Sequence, residues 1–239
     1  MPCARRCQRS RILRTHEELH DRDAEGPKRL WPAVHGVDVN RGRLIVFEGL
    51  DGCGKSTQIE HLEAALRGSG CDVVLTREPT DGEYGRRIRQ NAQTQAAISP
   101  EEELRWFMED RRVHVREVLR PALAAGRIVL CDRYYLSTVA YQGARGCDAA
   151  EILAVSEAEF PEPDLVLLLE IEPAAGLARV HARGNAVETR FEQAEFLTAV
   201  AGVFRRLDRP YIARIDAERT VGEVEGAILE CVRERLALL

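Results

Sequence analysis

The chain alternates short continuous apolar runs with longer stretches in which apolar residues recur every three or four positions. Residues 43–48 (Arg-Leu-Ile-Val-Phe-Glu) place four apolar side chains in a row, as a strand covered on both faces requires. Residues 57–66 then carry Ile59, Leu62, Ala65 and Leu66 at helical spacing. The same contrast predicts strands over 71–76, 127–131, 164–169 and 211–215, and helices over 85–91, 101–124, 136–141 and 149–158. Strands separated by helices form a parallel sheet wrapped by those helices. The fold class is therefore α/β, with five strands and no internal repeat.

The first 42 residues break the pattern. They hold six arginines by residue 22, little apolar periodicity, and Gly26-Pro27 and Trp31-Pro32 breaks. Glu17, Glu18, Asp21, Asp23 and Glu25 argue against an organelle-targeting peptide, which avoids acids, and no apolar stretch suits secretion. The expectation is a poorly ordered extension, or an over-long gene start, before a domain spanning 43–239. A hydrophobic share of 45% and a charged share of 31% are those of an ordinary globular protein. A formal net charge of −5 counts against a nucleic-acid-binding surface. No apolar run approaches the ~18 residues of a membrane-spanning helix. Seven cysteines, scattered without paired spacing, point to a reducing, cytoplasmic setting rather than to disulfides or a zinc site.

Between the first strand and the first helix lies Gly49-Leu50-Asp51-Gly52-Cys53-Gly54-Lys55-Ser56-Thr57. It fills every fixed position of the pattern G-x-x-x-x-G-K-[ST] in the strand–turn–helix context that gives the pattern meaning. Gly49 and Gly54 let the backbone approach an anion closely, and the freed N–H groups and the positive helix end face phosphates. Lys55 supplies a point charge for the outer phosphates and is expected to make no core contact, and the Ser56 hydroxyl is placed for Mg²⁺. The chain is expected to bind a nucleoside triphosphate.

A phosphate loop alone does not choose among kinases, GTPases and motor ATPases. The Asn-Lys-x-Asp and Asp-x-x-Gly signatures of a GTPase are missing, and the third strand ends Cys131-Asp132-Arg133-Tyr134. Asp132 can face a metal and Arg133 an adjacent anion, because open α/β sheets bind ligands at the carboxyl ends of their strands; a structural ion pair there is the other reading. On the helix from Glu101, Leu104, Phe107, Met108, Val115, Val118 and Leu119 form an apolar stripe, and Arg111 falls on it. A charge facing inward needs a partner. Arg111 is either paired with a structural carboxylate or is the wall of a pocket in which Phe107 offers a ring to stack on. Arg179, His181, Arg183 and Arg190 surround Gly184-Asn185, a pattern that suits either a lid over phosphates or a solvated helix face.

Taken together, Phe47 to Thr57, Thr76-Arg-Glu-Pro79, Phe107-Met-Glu-Asp-Arg111 and above all Asp132-Arg-Tyr-Tyr-Leu-Ser-Thr-Val-Ala-Tyr-Gln-Gly143 resemble the thymidylate kinases, from about Leu44 to the C-terminus. The resemblance implies a P-loop nucleoside monophosphate kinase fold with a lid near 179–191. It implies transfer of phosphate from ATP, with Mg²⁺, to dTMP, in a homodimer. Residues 49–57 and Arg179 would hold ATP, Ser56 and Asp132 the metal, and Asp216-Ala217 would lie near the adenine. Asp51 and Arg133 would sit over the acceptor phosphate and sugar, with Arg89 as a further phosphate ligand. Phe107 would stack on thymine, Arg111 would meet the base edge, and Thr138 and Gln142 would complete base recognition. Tyr141 would crowd the 2′ position, and Glu48 and Glu78 would belong to the polar floor. Lys55, Asp51, Arg133, Arg183 and Arg190 would carry catalysis.

Some members carry an arginine directly after the loop acid, where this chain has Gly52; the others rely on lid arginines, here Arg179, Arg183 and Arg190. The transition state needs cation density, not a fixed chain position, so an arginine placed at 52 is expected to restore part of the rate of a lid variant. Thr80-Asp81-Gly82 after the Arg-Glu-Pro stretch and Thr189 before the lid arginine depart from the family pattern. The alternatives are a kinase for another deoxynucleoside monophosphate and a P-loop protein that binds ATP without transferring phosphate.

Overall fold

A computed structural model of the chain describes residues 41–94, 98–182 and 190–239, so the expectation for the N-terminal extension lies outside the described residues. Five parallel strands, β1 (Arg43–Gly49), β2 (Val73–Arg77), β3 (Ile128–Asp132), β4 (Leu165–Glu170) and β5 (Ile212–Asp216), form one sheet in the order β2-β3-β1-β4-β5. The three central strands are buried almost throughout, whereas the edge strands β2 and β5 alternate between covered and open positions. This explains the continuous apolar runs of the first, third and fourth strands, since helices cover both faces there. The chain moves outward on one side of β1 and then crosses to the other, so the carboxyl end of β1 is the point where strand order reverses. Ligands bind at that place in open α/β sheets.

The helices are α1 (Lys55–Gly68), α2 (Glu83–Thr94), α3 (Pro100–His114), α4 (Arg120–Ala124), α5 (Tyr135–Ala144), α6 (Ala149–Glu159), α7 (Pro173–Ala182), α8 (Arg190–Arg206) and α9 (Val221–Leu236). Each strand predicted from the sequence is present and ends one residue further toward the C-terminus. The helix expected over 101–124 is interrupted: a wide π-type turn at Val115–Leu119 joins α3 to α4. Pro121 has no N–H to offer the carbonyl four residues back, and the wide turn lies directly before it. Helices α8 and α9 were not anticipated. For α9 the signal was readable, because Thr220 and Glu223 form a reciprocal capping box ahead of Val224, Ile228 and Val232, which are buried.

Asp164, just before β4, closes the amino end of the sheet. Its carboxylate accepts from the Leu44 N–H at 2.9 Å and pairs with Arg43 at 3.0 Å and Arg41 at 3.1 Å. Gly42 is buried between these two arginines, so tightly against Leu123 that a Cβ there would lie 2.3 Å from its carbonyl oxygen. Asp164→Ala leaves a strand amide and a largely buried arginine without their acceptor. The urea midpoint should fall by an amount equivalent to about 1–3 kcal/mol with an unchanged slope; an unmoved midpoint would show that Asp164 does not hold β1 in place.

Candidate active site

The phosphate loop leaves β1 at Gly49 and enters α1 at Lys55. Gly54, the residue that opens α1, has φ +101°, and a Cβ there would meet nothing within 4 Å. No side chain caps this helix end, so its first N–H groups remain available to an anion. Gly52 has a different constraint. It lies at φ +82°, and a Cβ would come 2.2 Å from the carbonyl oxygen of Gly176 on α7. The loop therefore rests directly on the α7 backbone. This corrects the expectation that an arginine at position 52 can substitute for lid charge: no side chain enters there without displacing α7.

Lys55 is buried, and its ammonium donates to the carbonyls of Gly49 at 3.2 Å and Leu50 at 3.0 Å. It braces the loop as well as charging it, contrary to the expectation that it makes no core contact. A cavity of about 380 Å³ opens beside it, lined by Asp51, Lys55, Ser56, Asp132 and Arg133 among others. Oδ1 of Asp132 is buried there without a hydrogen-bond partner among the described residues. An unsatisfied carboxylate oxygen next to an exposed serine hydroxyl is a donor set that fits Mg²⁺.

Arg133 joins this cavity to the rest of the site. Its backbone is left-handed, at φ +70°, a costly conformation for a residue with a side chain. The conformation is over-determined: the Arg133 N–H donates to the Phe47 carbonyl at 2.9 Å, and its guanidinium donates to Ser137 Oγ at 2.9 Å and Asp51 Oδ1 at 2.7 Å. The guanidinium also lies over the Tyr141 ring, 5.2 Å from its centroid. Burial works against its charge, but Tyr141, Asp51, Glu48 and Asp132 outweigh it and hold the pKa above the ordinary value. Packing raises the Asp51 carboxyl, and the charges of Arg133 and Lys55 outweigh that and leave it below the ordinary value. Burial pushes the Tyr141 phenol up to about 12, so it stays protonated at neutral pH.

Glu48, fully buried at the end of β1, accepts from the N–H groups of Tyr134 at 2.9 Å and Ser137 at 3.0 Å and from Ser137 Oγ at 2.5 Å. Tyr134 precedes α5 and offers no capping side chain, so the strand supplies the cap. Burial raises the Glu48 carboxyl, and these hydrogen bonds and Arg133 lower it; burial wins.

Arg111 has the carboxylate partner that one of its two alternatives requires. Arg111 is 1% exposed; its Nε donates to Glu78 Oε2 at 2.9 Å and its Nη2 to Thr138 Oγ1 at 2.8 Å. The rings of Tyr134 and Phe160 lie 5.4 and 5.5 Å from its guanidinium carbon. The other Glu78 oxygen accepts from His114 Nδ1 at 2.9 Å, and the Thr76 hydroxyl meets His114 Nε2 at 2.6 Å. Phe107, one turn before Arg111, is half-buried, and Gln142, one turn after Thr138, is buried. Arg111, Thr138, Tyr141 and Gln142 thus gather along α3 and α5. Arg89 does not join them by any contact: it donates to the Pro79 carbonyl and to Asp81, both at 2.9 Å. Arg179 donates to the Ala217 carbonyl at 3.0 Å, which brings it to the segment expected near the adenine. Arg190 opens α8, and Arg183 lies outside the described residues.

The sequence reading missed Glu103, Asp110 and His114, all buried on α3. The signal that singled out Arg111 applies to them equally, because each is a polar residue on the inward stripe. Asp110 accepts from the Thr80 N–H at 2.7 Å and its hydroxyl at 2.6 Å, fixing the turn after Pro79.

The family model described as thymidylate kinase matches residues 47–228. Curated relatives include the thymidylate kinase of Desulfotalea psychrophila, 46% identical over 199 residues covering 83% of this chain and 98% of the relative. That of Akkermansia muciniphila is 45% identical over 195 residues, covering 82% and 93%. That of Xylella fastidiosa strain M12 is 39% identical over 210 residues, covering 86% and 95%. The matched span runs from the end of β1 into α9 and takes in both the phosphate cavity and the helices around Arg111. The chain belongs to the thymidylate kinase family.

Proposed function

We propose that this chain phosphorylates dTMP to dTDP with ATP as donor, by direct in-line transfer. The observation that carries the reading is the position of Arg133, which lines the phosphate cavity with one face and reaches Tyr141 on the base-side helix with the other. A single half-buried cation there can hold an acceptor phosphate next to a donor phosphate. No protein nucleophile is required, because the acceptor phosphate is already ionised at neutral pH and catalysis reduces to positioning and charge.

The residues take the following roles. The α1 amino end, residues 49–57 and Lys55 cradle the ATP phosphates. Asp132 and Ser56 hold Mg²⁺, directly or through water; the ion, when bound, neutralises charge on the β and γ oxygens. Asp51 keeps Arg133 aimed at the acceptor. Phe107, Arg111, Thr138 and Gln142 receive the base, Tyr141 lies against the sugar, and Arg89 approaches the acceptor phosphate from the 79–81 turn. Arg179, Arg183 and Arg190 deliver lid charge that Gly52 cannot. The kinase domain spans 43–239, and Arg41 and Gly42 pack with it through Asp164 and Leu123. Family resemblance supports a homodimer, and the scattered cysteines support a reducing cytosol. Among the described residues no helix is long and apolar enough to cross a membrane, and the net charge of −5 speaks against nucleic acid as a partner.

ADP release measured with dTMP, dUMP, dCMP, dGMP and AMP tests the reading: dTMP should be the preferred acceptor. Lys55→Met, which keeps the buried stem, should lower kcat by ~10²-fold or more. ATP binding without acceptor-dependent ADP release would make the chain a non-catalytic nucleotide binder.

Arg183→Ala and Arg190→Ala should each cut the single-turnover transfer rate, by ~10²-fold where the arginine meets only the transition state, with little change in KM for dTMP. Unchanged rates in both variants and in the double variant would place the catalytic charge elsewhere.

Gly52→Arg in the Arg183→Ala background should not recover the lost rate, and should lower the melting temperature by an amount equivalent to about 1–3 kcal/mol of backbone strain. Recovery with an unchanged melting curve would show that the loop can lift off Gly176.

A further inference from the structure

The inward face of α3 carries other buried charged residues besides Arg111, Glu103 among them. Glu103 is 6% exposed; its Oε2 forms an ion pair with Arg145 Nη1 and accepts from Gln142 Nε2, each at 2.9 Å. Gln142 is 1% exposed, and its Oε1 is buried without a hydrogen-bond partner among the described residues. These facts bear on one another. A carboxylate paired with an arginine only accepts, so the amide must turn its NH₂ toward Glu103. A flip would set two oxygens against each other. Glu103 therefore determines that the Oε1 end of Gln142 remains for a ligand, an acceptor that is costly to leave unpaired in a buried place.

We propose that Glu103 is a positioning residue for base discrimination, holding Gln142 so that its carbonyl oxygen faces the incoming base. The inference rests on the reading that Gln142 lies in the base subsite. Thymine and uracil offer an N3–H donor beside the O4 acceptor. Gln142 Oε1 meets the donor, and Arg111, whose Nη1 has among the described residues only a 3.9 Å contact with Met108 Sδ, meets the acceptor. Cytosine reverses both, with a lone pair at N3 and an amine at C4. Sites built to hydrogen-bond a substrate reject the analogue that leaves buried groups unpaired, far more strongly than apolar pockets reject a methylene. Once Glu103 is replaced by an amide, which can donate as well as accept, Gln142 is free to flip and offer NH₂ to cytosine.

The full chain carrying Glu103→Gln is compared with wild type for kcat/KM on dTMP, dUMP and dCMP. The dTMP-to-dCMP ratio should fall by about tenfold or more, while the dTMP-to-dUMP ratio and KM for ATP stay within about twofold, because dTMP and dUMP share the edge that Gln142 reads. A dTMP-to-dCMP ratio that does not move overturns the proposal. So does a parallel fall in both ratios, which is the mark of a loosened pocket. Should Glu103→Gln not fold, Glu103→Ala, which removes the acceptor and leaves only the half-exposed Arg145 without it, reads the same ratio, and an unmoved value again overturns the proposal. Gln142→Ala separates the premises. If it leaves KM for dTMP unchanged, Gln142 is not in the base subsite; if it raises KM while Glu103→Gln leaves discrimination intact, only the role of Glu103 fails.

Discussion

The carboxylate of Glu48 joins the two halves of the site. It sits one residue before the phosphate loop, with no exposure, and accepts from two N–H groups and a hydroxyl at the start of α5. Helix α5 carries Thr138, Tyr141 and Gln142, and the loop carries Asp51 and Lys55. A rigid body movement of the helix relative to the loop would leave a buried acid without its donors, which is expensive. Arg133 reinforces the joint from the other side, donating its N–H to Phe47 and its side chain to both Ser137 and Asp51. Donor-phosphate and base-side residues are thereby held at one spacing, and positioning is the main task in phosphoryl transfer.

The same logic accounts for the unusual interior of α3. Buried ion pairs add little net stability, since desolvation offsets their attraction, yet removing one partner costs about 3–5 kcal/mol. Glu78 between Arg111 and His114, and Glu103 between Arg145 and Gln142, are best understood as means of orientation. In each case the carboxylate fixes the orientation of a side chain in the proposed base subsite. Arg111 is held at Nε and Nη2 and Gln142 at Nε2, which leaves Arg111 Nη1 as a donor and Gln142 Oε1 as an acceptor.

Much of this was legible in the chain. The phosphate loop was readable because its chemistry resides in consecutive residues, and a pattern of glycines, a lysine and a serine has few other uses. The central strands were readable because burial on both faces leaves unbroken apolar runs. Edge strands and helix ends were less distinct: partial cover on β2 and β5 dilutes the signal, and Pro121 acts on a turn whose form depends on what α3 packs against. Glu103, Asp110 and His114 escaped notice although they lie on the stripe that exposed Arg111. A single charge among apolar neighbours stands out, whereas several polar residues spread along a face read as an ordinary amphipathic helix.

By itself the sequence determined the α/β class, the family and the identity of the phosphate cradle, all properties of local spacing and of motifs that tolerate few alternatives. Only the tertiary structure decided that Lys55 braces the loop it charges, that Gly52 is required by the approach of Gly176, and that Arg89 rests on the 79–81 turn. It alone showed which end of the Gln142 amide is left free. These are contacts between segments far apart in the chain, set by how helices settle on the sheet, and no periodicity along one segment encodes the distance to another.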